Sequence, residues 1–204
     1  MRKTLVIANM LFASACVFGM NNNISQSDNS ARSLWTQYLP GCTENTVELF
    51  IAIENEDASE VKSVLESSEA DVNAECCIPE WVRNGAKMRK VERRMTPLLL
   101  ACMSYPENYT PDVSNIQIIE MLISNSQTDF TKQDDQGRNA LFWLVQRNSN
   151  PELVKLMLEY VEDSGTKNMV VNQRDKNGIT PLSVAISNSY TELVEILKEN
   201  GAYM

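Results

Sequence analysis

The sequence predicts an all-α repeat fold, in which short helix pairs stack in a row because none can bury its apolar face alone. Three observations predict it. A leucine followed three residues later by a small or apolar residue recurs four times: Leu49 and Ala52, Leu98 and Ala101, Leu141 and Leu144, Leu182 and Ala185. After a polar gap, each copy has a second apolar cluster at helical spacing: Val61, Val64 and Leu65; Ile118, Ile119 and Leu122; Leu153, Leu156 and Met157; Leu193, Ile196 and Leu197. The segments that carry them also align as repeats of one another, most visibly "DDQGRNALFWLV" from Asp134 with "DKNGITPLSVAI" from Asp175.

Before the first copy lie two segments of different character. Arg2 and Lys3 precede an uncharged, mostly apolar run from Leu5 to Phe18, with small residues at Ala13, Ala15 and Gly19. This is the layout of a cleaved signal peptide over 1–20, since a spanning helix needs about 20 predominantly apolar residues. "ASAC", ending at Cys16, resembles a bacterial lipobox with Ala13 where leucine is usual, so a lipid anchor at Cys16 is the weaker variant of the same expectation. No other segment is apolar enough to span a bilayer, and the destination expected is the periplasm or the outside of a bacterial cell. The polar stretch "NNNISQSDNSARS" reads as tether, and 21–40 is assigned to a flexible linker.

Composition narrows the function. The 204 residues carry 18 Lys and Arg against 27 Asp and Glu, and no histidine. Without imidazole, the usual Ser-His-Asp and Cys-His nucleophilic arrangements cannot be built. The seven glycines are scattered, so no phosphate-cradling loop is present. The cysteine spacing is no metal signature. A non-enzymatic protein without metal or cofactor is expected; the thiol-enzyme alternative, on Cys76 or Cys77, lacks a partner base.

At the level of motifs, the last copy carries Asp175, Gly178, Thr180, Pro181, Leu182, Ala185, Leu197, Gly201 and Ala202 in the register D-x-x-G-x-T-P-L, alanine, leucine, G-A. The units resemble ankyrin repeats, at about 46–74, 95–133, 134–173 and 175–204, within a domain of 41–204. Asn139, Ala140 and Leu141 stand for T-P-L in the third, while the first keeps little beyond Leu49 and "ADVN". The resemblance implies a solenoid of about four helix-turn-helix repeats. The family's histidine is replaced by Leu99, Phe142 and Ser183, and Cys102 takes the place of a tightly packed alanine, which implies a buried, inert thiol.

The anchor leucines are 49, 43 and 41 residues apart, against a family period of about 33, so each unit holds an insertion. "EDSGTKNMVVNQ" from Glu162 is modest, and "SYPENYTPDVSN" from Ser104 lengthens the turn inside the second unit. The largest lies between "DVN" and "TPL", where the family places its hairpin finger. Asn84-Gly85 is a strong two-residue turn signal, and folding about it predicts a hairpin over 76–94 that pairs Trp81 with Met88, Glu80 with Arg89 and Ile78 with Val91. Alternation puts Trp81, Arg83, Met88 and Lys90 on one face and Ile78, Val82 and Val91 on the other. From Glu80 to Arg94 six cations face two carboxylates, a net +4; beyond the first twenty residues the remainder has 10 cations and 25 carboxylates.

The resemblance implies a monomeric scaffold that binds a protein partner. The contact is expected on the finger, through Trp81, Arg83, Lys87, Arg89, Lys90, Arg93 and Arg94, and on the concave helix face, through Arg138, Arg147, Lys176, Asn177 and Ile179. The alternative is a polyanion or anionic surface held by the basic hairpin; overall acidity argues against nucleic acid. The bland reading of the hairpin is internal neutralisation of its acidic neighbours. A disulfide from Cys42 to Cys76 or Cys77 is expected as well, since export permits one and both ends lie by the finger.

Overall fold

The computed structural model describes residues 35–203 except 68, 85–86, 105–112, 148–149 and 164, and the side chains of 78–92 and 163 are likewise outside the described set. Four helix pairs follow one another: α1 (Glu44–Glu54) with α2 (Ala58–Glu66), α3 (Pro97–Ser104) with α4 (Val113–Ile123), α5 (Ala140–Gln146) with α6 (Pro151–Asp163), and α8 (Pro181–Ser187) with α9 (Thr191–Glu199). A short α7 (Lys167–Val171) occupies the third joint, and strands β1 (Cys76–Asn84) and β2 (Lys87–Met95) fill the first.

First helices pack on first helices, α1 on α3 on α5 on α8, and second on second, α2 on α4 on α6 on α9. The repeating apolar positions dictate this. Leu49, Leu98, Leu141 and Leu182, with Ala52, Ala101, Leu144 and Ala185, are all buried along the first row; Val61, Ile119, Leu153 and Leu193 are buried along the second, with Leu65 and Leu156 half-buried. Cys102 is fully buried between neighbouring units, as its alanine-like position implies.

Each first helix begins on a polar cap that satisfies an orphan backbone N–H. Thr43 accepts from Thr46 N at 3.2 Å, Thr96 from Leu99 N at 3.3 Å, Asn139 from Phe142 N at 2.9 Å and Thr180 from Ser183 N at 3.2 Å. Ser183, which stands where the family has histidine, accepts in return from Thr180 N at 2.9 Å and completes a capping box. In the first unit the helix starts a turn earlier than the leucine spacing alone would place it, capped by Thr43.

Neighbouring units are also tied by two equivalent asparagines. Asn73 donates to Gln127 O at 2.7 Å and accepts from Asp129 N at 2.8 Å; Asn172 donates to Gly201 O at 3.1 Å and accepts from Tyr203 N at 2.9 Å. Each amide thus brackets the backbone of the next unit.

One span differs from the sequence expectation. Residues 35–40, assigned to a linker, are folded: a helical turn at 35–38 buries Trp35 and Leu39, and Trp35 stacks on Phe50 with ring centroids 5.1 Å apart. The physical reason is the i, i+4 apolar pair, which covers the open side of the first unit. The insertion from Glu162 contains α7, whose Val170 and Val171 are buried and whose Val170 O accepts from Asn139 Nδ2 at 2.8 Å. Of the second insertion, 105–112 lies outside the described residues, between α3 and α4. Among the described residues no helix is long and apolar enough to cross a membrane, and the expected signal peptide and the lipid anchor at Cys16 fall outside them.

Candidate functional site

The first joint carries a two-stranded antiparallel ribbon, nine residues in each strand, which spans roughly 30 Å. The equivalent joints before units three and four are tight turns. In each of these, one carboxylate holds the loop: Asp134 Oδ1 accepts from Gln136 N and Arg138 N at 2.8 and 3.0 Å, and Asp175 Oδ1 from Asn177 N and Ile179 N at 2.8 Å each. Gly137 and Gly178 close them at φ +82° and +78°, a region that favours glycine. Adjacent tips join through Lys176 N, which donates to Gln136 O at 2.8 Å.

The ribbon pairs in a different register from the one expected. Trp81 lies opposite Lys90 rather than Met88, Glu80 opposite Val91 rather than Arg89, and Ile78 opposite Arg93 rather than Val91. Asn84 pairs with Lys87, leaving Gly85 and Ala86 between the strands. Pro79 explains the correction. A ribbon closed by two residues starts on a hydrogen-bonded pair, and bonded and non-bonded pairs then alternate. A turn centred on Asn84-Gly85 would put Pro79 in a bonded pair, where it has no N–H to give; the observed register puts Pro79 opposite Glu92 in a non-bonded one. The slip moves each partner by two residues, an even number, so the division of residues between the two faces is unchanged.

At the base the faces are distinct. Cys76 and Met95 are fully buried, while Cys77 and Arg94, the adjacent positions, are exposed. The end of β2 packs on α3. Arg93 Nη1 lies 3.5 Å from Met103 Sδ, and Arg94 Nη1 lies 3.9 Å from Glu75 Oε2, whose other oxygen holds Lys132 Nζ at 2.9 Å. Of the expected finger contacts, Trp81, Arg83, Lys87, Arg89 and Lys90 are fixed here by backbone register alone, their side chains being outside the described residues.

The second group of expected contacts divides. Arg138 is committed within its own unit: it meets Asp134 Oδ2 through Nη2 at 2.7 Å and Nε at 2.8 Å, and its guanidinium sits 4.0 Å from the centre of the Trp143 ring. Its side chain is only 14% exposed. Arg147 approaches the same ring at 5.6 Å and is half-buried. Lys176, Asn177 and Ile179 are exposed on the turn row, with the Asn177 amide turned back on Asp175 Oδ2 at 3.2 Å. Trp143 itself was not legible as a site residue. It holds the position of Leu100 and Val184 in neighbouring units, and its buried indole Nε1 makes no hydrogen bond among the described residues.

All four described cysteines are free thiols, so the expected bridge from Cys42 is not formed. Cys76 instead donates its thiol to Met95 O at 3.2 Å within the buried base, and Cys77, one position on, is turned to solvent. Burial pushes the Cys76 and Cys102 thiols well above the ordinary thiol range, which leaves no thiolate for chemistry near neutral pH. Cys42 is also raised, by burial and then by Asp71. No group of three or more Cys, Asp or Glu able to hold a metal ion occurs among the described residues.

Stacked helix pairs joined by carboxylate-held turns define a repeat solenoid. Residues 112–204 match the family described as ankyrin repeats (3 copies). A Rickettsia felis protein named for ankyrin repeats is 33% identical over 89 residues, 44% of this chain. The chain spans about a fifth of that relative's length, 21%. Residues 112–204 belong to the ankyrin repeat family, and the described helix pairs take the all-α ankyrin solenoid fold.

Proposed function

We propose that the chain is an exported, non-enzymatic interaction scaffold that takes a protein partner on its basic hairpin and on the turn row and first helices beside it. Ankyrin repeats are protein-interaction modules, and one observation carries the finer reading. Where the third and fourth units are entered by tight turns, Asp134–Arg138 and Asp175–Ile179, the second is entered by nine-residue strands with a net charge of +4 between Glu80 and Arg94. Among the described side chains the ribbon joins the core at its base, through Cys76 and Met95, while its length and opposite charge run on past that base. They suit a separate contact.

Export rests on Arg2, Lys3 and the apolar run to Phe18. Mass spectrometry of the native N-terminus tests it: a start near residue 20 supports export, and an intact Met1 or Arg2 refutes it.

Affinity capture with the whole chain and with one lacking 78–93 tests the contact. Loss of the partner on deletion, with helical content preserved, supports the hairpin; unchanged capture moves the contact to Lys176, Asn177 and Ile179. The second reading, an anionic surface, is favoured only by the clustered cations. Binding to phosphatidylserine vesicles that a protein partner fails to displace would select it.

A further inference from the structure

We infer that the outer edge of β2 is a strand-addition site, and that its occupant is an extended acidic segment of a partner protein. This rests on the reading of the hairpin as the contact, and it specifies the geometry of that contact. A two-stranded ribbon has two open edges, and among the described residues no third strand pairs with either. The edges are not equivalent. With Asn84 and Lys87 as the closing bonded pair, the backbone N–H groups of Met88, Lys90 and Glu92 fall on non-bonded pairs and face outward along β2. The corresponding outward positions on β1 are Arg83, Trp81 and Pro79, so that edge is interrupted by a residue without an N–H. Only β2 offers an unbroken row of donors and acceptors.

Charge selects the occupant. β2 reads KMRKVERRM, five cations and one carboxylate in nine residues. Two copies pairing edge to edge would oppose like charges, so a second copy of this chain is disfavoured. An acidic strand is attracted by Lys87, Arg89 and Arg93 on one parity of β2 and by Lys90 and Arg94 on the other, while its backbone bonds to the ribbon, which is the division of labour in strand-addition complexes. A third strand also supplies what the ribbon lacks, since an isolated two-stranded hairpin is marginal in water. The competing account of a lysine-rich edge is that it exists to block pairing altogether.

The test uses the whole chain and a capped peptide of alternating valine and glutamate, about as long as β2, with binding followed by NMR. Binding that slows hydrogen exchange at Met88, Lys90 and Glu92 while leaving Arg83 and Trp81 unchanged is the expected result. Lys90→Pro removes one outward N–H without touching the ladder, and Lys90→Gln removes the same charge but keeps the N–H. Lys90→Pro should weaken binding about tenfold beyond Lys90→Gln, which corresponds to about 1.4 kcal/mol. Should Lys90→Pro disturb the fold, the exchange pattern of the unmodified chain decides alone. Equal weakening by the two variants means that charge alone is read, and overturns strand addition. So does an absence of peptide binding, which is what an edge built only to block pairing would give. Loss of partner capture on deleting 78–93, together with either of those results, leaves the hairpin contact standing and removes this inference alone. Unchanged capture on that deletion removes both.

Discussion

The indole Nε1 of Trp35 donates to Glu54 Oε2 at 2.7 Å, tying a residue that precedes the first repeat to the last residue of its first helix. Together with the stack of Trp35 on Phe50, this closes the end of the solenoid where the motif is weakest. Burial raises the Glu54 carboxyl above its usual range, and the Trp35 hydrogen bond lowers it less than burial raises it. The linkage follows. A carboxyl raised in the folded state contributes stability that is fully present below its unfolded value and is lost as pH rises through its folded value.

Glu54→Gln is therefore expected to raise the melting temperature at pH 7, with the gain shrinking toward pH 4, because the amide keeps an acceptor for Trp35. Melting curves of both proteins from pH 4 to 7 check this; a loss that is equal at both ends would overturn it. Asp57 contributes with the opposite sign. The Ser59 hydroxyl, then the Glu60 N–H, holds it below the usual range, so its contribution fades as pH falls.

Asn73 makes the only such amide bracket described between the first and second units, through Gln127 O and Asp129 N. Two hydrogen bonds at about 0.5–1.5 kcal/mol each put the cost of Asn73→Ala at roughly 1–3 kcal/mol. Because repeat stability is a sum of unit and interface terms, the loss should appear as early unfolding of the first unit. Tryptophan fluorescence at Trp35 and Trp143, compared in single-tryptophan variants, should then give separated urea midpoints; coincident midpoints would argue that the bracket carries no coupling.

Thiol labelling gives a direct readout of the four cysteines. Cys77 is exposed and should react first, Cys42 more slowly, and Cys76 and Cys102 only on unfolding. Four labels after denaturation without reductant are expected of protein taken from its natural compartment. Two labels would restore the bridge from Cys42.

Much of the fold was legible because a repeat states its pattern several times. Leu49, Leu98, Leu141 and Leu182 are each buried where the spacing places them. What failed were features stated once. Trp35 and Leu39 follow a polar tract and have no counterpart in later units, so only their i, i+4 spacing marked them. Nothing in the local sequence of Arg138 shows that Trp143 lies 4.0 Å from its guanidinium. The faces of the hairpin survived an error in its register, since alternation depends on parity alone, whereas the turn centre depends on where Pro79 can sit.

That register is open to a decisive crosslinking test in a background lacking Cys42 and Cys77. Directly opposed residues in a non-bonded pair have Cα atoms about 4.5 Å apart, whereas diagonal neighbours are about 7–8 Å apart. Disulfides need less than about 7 Å. In the structure Arg83 opposes Met88, and Trp81 is diagonal to Met88. Arg83→Cys with Met88→Cys should therefore oxidise readily to an intramolecular bridge, and Trp81→Cys with Met88→Cys should not. A turn centred on Asn84-Gly85 reverses the expectation, because it opposes Trp81 to Met88 and makes Arg83 the diagonal neighbour. Mass spectrometry of the oxidised hairpin peptide, read as the loss of two hydrogens, separates the two. A bridge in the Trp81 pair alone would return Pro79 to a bonded position, and would take the outward row of Met88, Lys90 and Glu92 with it.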